Sequence, residues 1–266
     1  MSAPRQAAPR IVLVGHERGQ EPVVEVVLGH GEDPIDVLGA RGWAVVRALA
    51  TESVPGDEHV LTVRFDVRRR AGSGPVARPG PEPGAGRDAE PGPDLAAGGG
   101  TRRDEGLVLG PGEEPQPYQR VAAYAVVSSA RGVLMTELSD RTNAPGQWGL
   151  PGGGIDPGED PLDAVVRECW EESGQQVTVT ELALVQTSHW VGRAPGGRVE
   201  DFHAVRIVYR ATCPAPSEPV VRDVGGTTAD ARWVQPAELA ALPLTPGWRA
   251  VLASLSLLPR HADETG

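Results

Sequence analysis

Glycines, a capped helix and a group of acidic side chains fall within one short segment, from Gly153 to Gln175 (GGIDPGEDPLDAVVRECWEESGQ). On a helix of about 3.6 residues per turn, Glu168 lies one turn from both Glu171 and Glu172. Like charges at that spacing repel and destabilise an isolated helix. A bound divalent cation would offset this repulsion, and carboxylate oxygens are ligands that suit Mg²⁺ or Mn²⁺. The segment therefore predicts a metal site built for phosphate chemistry.

The residues from Asp160 to Gly174 carry the signals that begin and end an α-helix. Asp160 is a favourable N-cap, and Pro161 suits the first helical position. Gly174 favours a left-handed residue at the C-terminal end. Between them, apolar residues recur at i, i+3, i+4 and i+7, which predicts a stripe that faces the core. This predicted stripe consists of Leu162, Val165, Val166 and Cys169.

The segment resembles the Nudix box, the signature of the Nudix hydrolases. That signature is G-x5-E-x7-R-E-U-x-E-E-x-G-U, in which U is an aliphatic residue. Its fixed positions are occupied here by Gly153, Glu159, Arg167, Glu168, Glu171, Glu172 and Gly174. Cys169 and Gln175 take the two aliphatic positions, and a buried thiol behaves as a small hydrophobe. All charged positions of the signature are present.

Acidic groups on helices are often only solvated faces, so the residues before the box matter. Residues 147–151 (QWGLP) run into three consecutive glycines, Gly152, Gly153 and Gly154. Such a segment is typical of a strand end followed by a tight turn, which would feed the chain into the helix. Together with the full box, this context favours a metal site over a plain acidic surface.

The resemblance implies an enzyme that adds water across the pyrophosphate bond of a nucleoside diphosphate linked to another group. It also implies Mg²⁺ or Mn²⁺ as the cofactor. The expected metal ligands are the backbone carbonyl of Gly153 and the carboxylates of Glu168, Glu171 and Glu172. Either Glu168 or Glu171 is expected to accept the proton of the attacking water, and the sequence does not choose between them.

Arg167 is expected to serve catalysis through position rather than through contact with substrate. We predict that it pairs with Glu159 and so fixes the loop that precedes the helix. The residues assigned to catalysis are therefore Glu168, Glu171 and Arg167.

Residues 118–260 are predicted to form the domain that carries the box. Strand patterns occur at Val121–Val127, Gly132–Glu137 and Phe202–Ala211, and a helical pattern follows Pro246. Helices packed around a mixed sheet give an α/β fold, here an α/β/α sandwich of the Nudix type.

Two further regions precede that domain. Residues 1–70 predict a small α+β unit in the order ββαββ. Within it, Leu38–Val46 (LGARGWAVV) resembles a small uncharacterised bacterial domain family whose helix ends in a Leu-Gly-Ala-x-Gly-Trp turn. This unit shows no catalytic pattern, and it is a candidate surface for a homodimer or a protein partner. Residues 71–117 are rich in Gly and Pro and poor in bulky apolar residues, which predicts a disordered, flexible linker.

The charge of the chain limits its partners. A net charge of -11 argues against a nucleic-acid partner, because binding to a phosphate backbone requires a basic face. It does not argue against a nucleotide, because metal ions can supply local positive charge. The sequence contains no apolar run of membrane-spanning length, and the first ten residues lack the apolar region of a signal peptide. The chain has only two cysteines, too few for a disulfide framework. We therefore expect a cytoplasmic protein that does not associate with a membrane.

Signals outside the box are weaker. An acid from a later loop could assist catalysis, and each candidate is equally typical of an ordinary surface. These candidates are Glu200, Asp201 and Asp230. Trp190, next to His189, could stack on a base or pack as a core or rim residue. The loop Arg193–Arg198 (RAPGGR) could supply cations to phosphate or simply turn the chain, and His203 has no predicted role.

Two functions remain open from the sequence. The first is a metal-dependent hydrolase of a nucleoside triphosphate, a modified nucleoside triphosphate, a nucleotide sugar or a similar compound. The second is a catalytically weak binding module that senses a nucleotide and signals to residues 1–70. The complete set of box carboxylates favours the hydrolase.

Overall fold

A computed structural model describes residues 8–54, 56, 58–70, 101–142, 144–194, 196–223 and 225–258. Within these ranges the chain forms two β-sheets and three α-helices. No helix among the described residues is long and apolar enough to cross a membrane.

The first sheet belongs to the N-terminal unit. Its strands are β1 (Arg10–His16), β2 (Pro22–Val27), β3 (Trp43–Val54) and β4 (Val60–Arg69), and α1 (Pro34–Gly39) lies between β2 and β3 in the chain. The spatial order is β2-β1-β4-β3, with β1 and β4 parallel and the outer pairs antiparallel. Asp33 caps α1 by accepting a hydrogen bond from the Ile35 N–H. The order of elements along this unit is ββαββ.

The second sheet has eight strands and is mixed. They are β5 (Thr101–Arg103), β6 (Gln116–Ser129), β7 (Gly132–Leu138), β8 (Trp148–Gly149), β9 (Gly152–Gly154), β10 (Thr178–Arg193), β11 (Val199–Thr212) and β12 (Thr228–Val234). The path runs β12-β7-β6-β11-β10-β5, with β8 paired to β7 and β9 paired to β6. The pairs β6–β11 and β5–β10 are parallel, and the others are antiparallel.

Helices α2 (Pro161–Ser173) and α3 (Pro246–Ser254) belong to two different core clusters. Alternate side chains of β6 point to opposite faces of the sheet, as a strand requires. Ala123 and Ala125 of β6 pack in the cluster that contains α2, whereas Val126 packs in the cluster that contains α3. One helix therefore covers each face, and the predicted α/β/α sandwich is confirmed.

The N-terminal sheet packs on the same side as α2 and shares its core. Buried residues of both sheets form one apolar cluster. Polar contacts also join the N-terminal unit to the second sheet. The hydroxyls of Thr51 and Tyr209 lie 2.5 Å apart, and Asp33 accepts a hydrogen bond from Thr187 at 2.6 Å. The N-terminal unit is thus held to the second sheet by a common core as well as by the intervening chain.

The structure corrects the end of the predicted linker. Residues 71–100 lie outside the described residues, but Thr101–Arg103 form β5, which pairs with His189–Val191 of β10. Strand β6 already begins at Gln116. An edge strand such as β5 is held by backbone hydrogen bonds and does not need apolar side chains, so composition gives no sign of it. Residues 101–117 are therefore not simply free chain.

Candidate functional site

A glycine turn places backbone groups against the acidic helix. Gly152 in β9 has φ +141°, and a Cβ there would lie 2.2 Å from the Ala123 carbonyl oxygen of β6. Only glycine tolerates both the conformation and this approach. The neighbouring Gly153 packs closely against α2 instead, since a Cβ on it would lie 2.5 Å from Oε1 of Glu168. The turn thus lies directly beside the carboxylates of the helix.

Arg167 organises the carboxylates on the outer side of α2. Its Nε and Nη2 donate to the two carboxylate oxygens of Glu159 at 2.8 and 2.9 Å, which confirms the predicted pair. Its Nη1 donates to Glu168 at 2.9 Å and to Glu171 at 3.1 Å. A further bond from Nη2 reaches the Gly154 carbonyl at 3.1 Å. One guanidinium therefore links the loop, the glycine turn and two glutamates of the helix.

Glu172 lies on the buried side of the same helix. It is 8% exposed and accepts hydrogen bonds from the Gly152 N–H and from the Thr228 hydroxyl of β12. Burial raises the pKa of Glu172 to about 7, despite these two bonds. Burial also raises the pKa of Glu168. Ionising both carboxylates is thus costly, and a cation bound between them would offset that cost.

These residues fit a Mg²⁺ or Mn²⁺ ion. Hard oxygen donors are the ligands that such ions prefer. Gly153 packs against the carboxylate of Glu168, and the preceding Gly152 donates to that of Glu172. The side chain of Glu171 is 41% exposed, against 16% for Glu168, so Glu171 lies nearer to solvent. Glu168 and Glu172 contact the glycine turn directly, whereas Glu171 is joined to Glu168 through Arg167. Their role as metal ligands stays a prediction.

The predicted apolar stripe of α2 is partly wrong. Val165 and Cys169 are buried as expected, but Leu162 and Val166 are 40% and 41% exposed. The helix is rotated so that Glu172 faces inward, where Gly152 and Thr228 satisfy its carboxylate. A pattern that counts only apolar residues cannot show that a polar side chain occupies the buried face.

The turn and Glu172 form part of the wall of a cleft of about 680 Å³. The cleft is also lined by three cationic and four aromatic side chains. These are Arg102, Arg120, Arg206, Tyr124, Trp190, Phe202 and Trp248. The three arginines were not predicted from the sequence. They lie outside the Nudix box, on β5, β6 and β11, and come together only in the folded sheet. Alternation along each strand is the one signal that could have placed them on a common face.

Trp190 is the one aromatic candidate from the sequence that lines this cleft. Its indole N–H donates to Asp104 at 2.6 Å, and its ring lies edge-on to Phe202 at 6.4 Å. Arg206 of the adjacent β11 donates to the hydroxyl of Ser188 in β10 at 3.0 Å. The cleft thus offers aromatic surface and positive charge beside the carboxylates.

The other predicted cations and acids have different partners. Arg193 pairs with Glu113 at 2.8 Å and holds the pKa of that carboxyl at about 2, and Arg198 pairs with Glu200. Neither arginine is among the described residues that line the cleft.

The remaining candidates also have partners other than the carboxylates of α2. Asp230 bonds the N–H of Ala231. Asp201 contacts His189, which does line the cleft. His203 is fully buried, and its Nδ1 lies 3.1 Å from the side-chain oxygen of Gln119.

Comparison with known proteins agrees with this geometry. Residues 118–255, just over half of the chain, match the family model described as the NUDIX domain. The chain belongs to the NUDIX family. Its enzyme class is that of the Nudix pyrophosphohydrolases, which confirms both the fold and the enzyme predicted from the box. The match begins at Tyr118, after the N-terminal unit and β5.

Individual relatives cover the same half of the chain. Nucleoside triphosphatase NudI of Salmonella newport is 28% identical over 143 residues, which are 53% of this chain and 99% of that protein. A MutT NUDIX hydrolase from Burkholderia pseudomallei is 29% identical with a TM-score of 0.39, over 52% of this chain and 98% of that one. The MutT protein from Methanosarcina mazei Go1 is 19% identical with a TM-score of 0.40, over 53% and 94%.

The Arg167 network predicts a loss of turnover without a loss of substrate binding. We expect Arg167→Ala to lower kcat roughly 10- to 100-fold, because small displacements of catalytic groups are costly. Arg167→Lys keeps the charge but not the forked donors, so it should recover only part of the rate. KM for a nucleoside triphosphate should change little, and Arg131→Ala, an exposed arginine paired with Glu218, is the control. A parent-like kcat in Arg167→Ala would contradict this role.

Burial of the Glu172 carboxylate predicts that the protein's stability depends on pH and on bound metal. The folded chain binds the Glu172 proton more tightly than the unfolded chain, so stability falls as pH rises from about 4.5 to about 7. At pH 8 without metal, Glu172→Gln should therefore raise Tm, whereas added Mg²⁺ should raise Tm of the parent more than that of the variant.

Thermal unfolding of the parent, Glu172→Gln and the exposed control Glu181→Gln tests this expectation. A metal-free variant that melts below the parent and responds equally to Mg²⁺ would show that Glu172 is not a ligand.

Proposed function

We propose that this NUDIX enzyme hydrolyses a pyrophosphate bond of a nucleoside triphosphate, with Mg²⁺ or Mn²⁺ held by Gly153, Glu168, Glu171 and Glu172. A modified nucleoside triphosphate, a nucleotide sugar or a related nucleoside diphosphate derivative belongs to the same substrate class. The observation that carries the proposal is a single cleft in which a buried carboxylate and a glycine turn are combined with three arginines.

The arginines support a substrate with several phosphates. Guanidinium groups match phosphate oxygens with paired donors, and Arg102, Arg120 and Arg206 line one cleft. A relative over this half of the chain bears the name nucleoside triphosphatase, which favours a triphosphate as the first compound to test. Trp190 and Phe202 supply aromatic surface on which a base can stack.

The acidic groups have two roles in this proposal: they bind the divalent cation, and one of them accepts a proton. When bound, the divalent cation neutralises phosphate charge and makes a water molecule more acidic. Glu168 or Glu171 accepts the proton of the attacking water, because Arg167 holds both carboxylates on the same side of α2. Arg167 holds both carboxylates in position and is a positioning residue in this scheme.

The overall charge and the cysteines support a small substrate inside the cell. A net charge of -11 disfavours a nucleic-acid polymer. Cys169 and Cys213 are free and buried, which suits a reducing cytoplasm. A protein partner or a second copy bound through residues 1–70 stays a prediction.

A substrate panel tests the proposal. The purified chain is incubated with nucleoside triphosphates, nucleotide sugars, ADP-ribose and dinucleotides, with and without Mg²⁺, and released phosphate and pyrophosphate are measured. We expect metal-dependent release from a nucleoside triphosphate that Glu172→Gln loses and the exposed control Glu181→Gln keeps. Nucleotide binding without turnover, unchanged in Glu172→Gln, would instead favour a sensing module.

A further inference from the structure

A second group of ligand-type side chains lies where the two sheets meet, apart from the acidic helix. His30 comes from the loop between β2 and α1 of the N-terminal unit. His189 lies on β10, and Asp201 and His203 lie on β11, where His203 is directly opposite His189. The centroids of the three imidazole rings are 5.4, 5.5 and 6.1 Å apart. Three separate segments of the chain thus bring their polar groups to one point.

Two imidazole nitrogens converge on the same carboxylate oxygen. Nε2 of His30 lies 3.1 Å from Oδ1 of Asp201, and Nε2 of His189 is hydrogen-bonded to that same oxygen. The three atoms all lie within 4.8 Å of one another. Ligand atoms around a tetrahedral Zn²⁺ are roughly 3.3 Å apart, given Zn–N bonds of about 2.0–2.1 Å. Small side-chain rotations would bring the three atoms to that spacing.

The ring of His189 is held in the orientation that a metal ligand needs. Its Nδ1 lies 2.7 Å from the hydroxyl of Thr101 in β5. An Nδ1–H can donate to that hydroxyl once Nε2 loses its proton to bind an ion in place of the hydrogen bond to Asp201. Metal-bound histidines commonly use the second ring nitrogen for such an outer contact. Gly31 packs against the same ring. A Cβ there would lie 2.7 Å from Nδ1, and φ is +75°. Both neighbours restrict the ring before any ion binds.

The donor set differs in kind from the glutamate site. Imidazole nitrogens favour first-row transition ions, whereas oxygen-only sites favour Mg²⁺. Asp201 adds one carboxylate oxygen to the two imidazole nitrogens. A set of two nitrogens and one oxygen suits a transition ion rather than Mg²⁺.

We propose that His30, His189 and Asp201 bind one divalent transition-metal ion of the Zn²⁺ type, which fastens the N-terminal unit to the Nudix domain. His30 belongs to the first sheet's unit and the other two ligands to the second sheet, so the ion joins them directly. Asp33, three residues after His30, already anchors the same loop to Thr187 of β10. His189 also lines the cleft, so the ion fixes one wall of the substrate site.

Calorimetry with Zn²⁺ on the full chain tests this site. The protein titrated carries both Glu168→Gln and Glu172→Gln, which remove the glutamate site, and the buffer contains excess Mg²⁺. We expect one Zn²⁺ per chain, and a loss of affinity of about tenfold or more on adding either His30→Gln or Asp201→Asn. His16→Gln, a histidine of β1 outside the cluster, is the matched control and should not change the affinity. Bound Co²⁺ should give the visible absorption of imidazole ligation.

The outcomes separate the site from a plain hydrogen-bonded cluster. Absence of Zn²⁺ binding once the glutamates are replaced, or an affinity unchanged by His30→Gln, would overturn the proposal. His30 is partly exposed, so its replacement is decisive even where Asp201→Asn impairs folding. With Glu168→Gln and Glu172→Gln in place, Zn²⁺ should also raise Tm, but not once His30→Gln is added, because the ion joins two parts of the fold. An equal rise in both would show that Zn²⁺ binds elsewhere.

Discussion

The acidic site depends on how the chain holds several carboxylates close together. Arg167 neutralises part of this charge through bonds to Glu159, Glu168 and Glu171, and it also ties the glycine turn to the helix at Gly154. Glu172 is held by different means, through the Gly152 N–H and Thr228. The outer carboxylates are thus supported by a fixed cation, and the inner one is left with a raised pKa. A divalent cation beside Glu172 and Glu168 would offset the cost of ionising these two carboxylates.

The cleft extends beyond the part of the chain that defines the family. Arg102 belongs to β5, before the matched range 118–255, and it lines the same cleft as Glu172. Strand β5 is placed there by its pairing with His189–Val191 of β10. The N-terminal sheet shares the core beneath α2 and bonds β10 through Asp33 and Thr187. Segments outside the family domain therefore help to shape the site within it.

The sequence predicted what is local and missed what depends on long-range pairing. The N-cap Asp160, the left-handed Gly174 and the Arg167–Glu159 pair are all set within one helix and its flanking loop, so spacing alone was enough. Arg206 and Thr228 reach the site only through strand register, which a linear pattern does not contain.

The errors have the same physical origin. The apolar pattern predicts Leu162 and Val166 on the buried face, yet both are exposed. The pattern does not show that Glu172 has hydrogen-bond partners inside the fold. Composition gave no sign of β5 for a similar reason, since an edge strand is held by its neighbour's backbone.

A crystal structure of the full chain with Mn²⁺ and a non-hydrolysable nucleoside triphosphate analogue tests the central claim most directly. Anomalous scattering locates the metal independently of any assumption about ligands. The account predicts Mn²⁺ against the carboxylates of Glu168 and Glu172, with phosphates between that ion and the side chains of Arg120 and Arg206. A bound nucleotide with no metal at these glutamates, or with its phosphates outside this cleft, would contradict it.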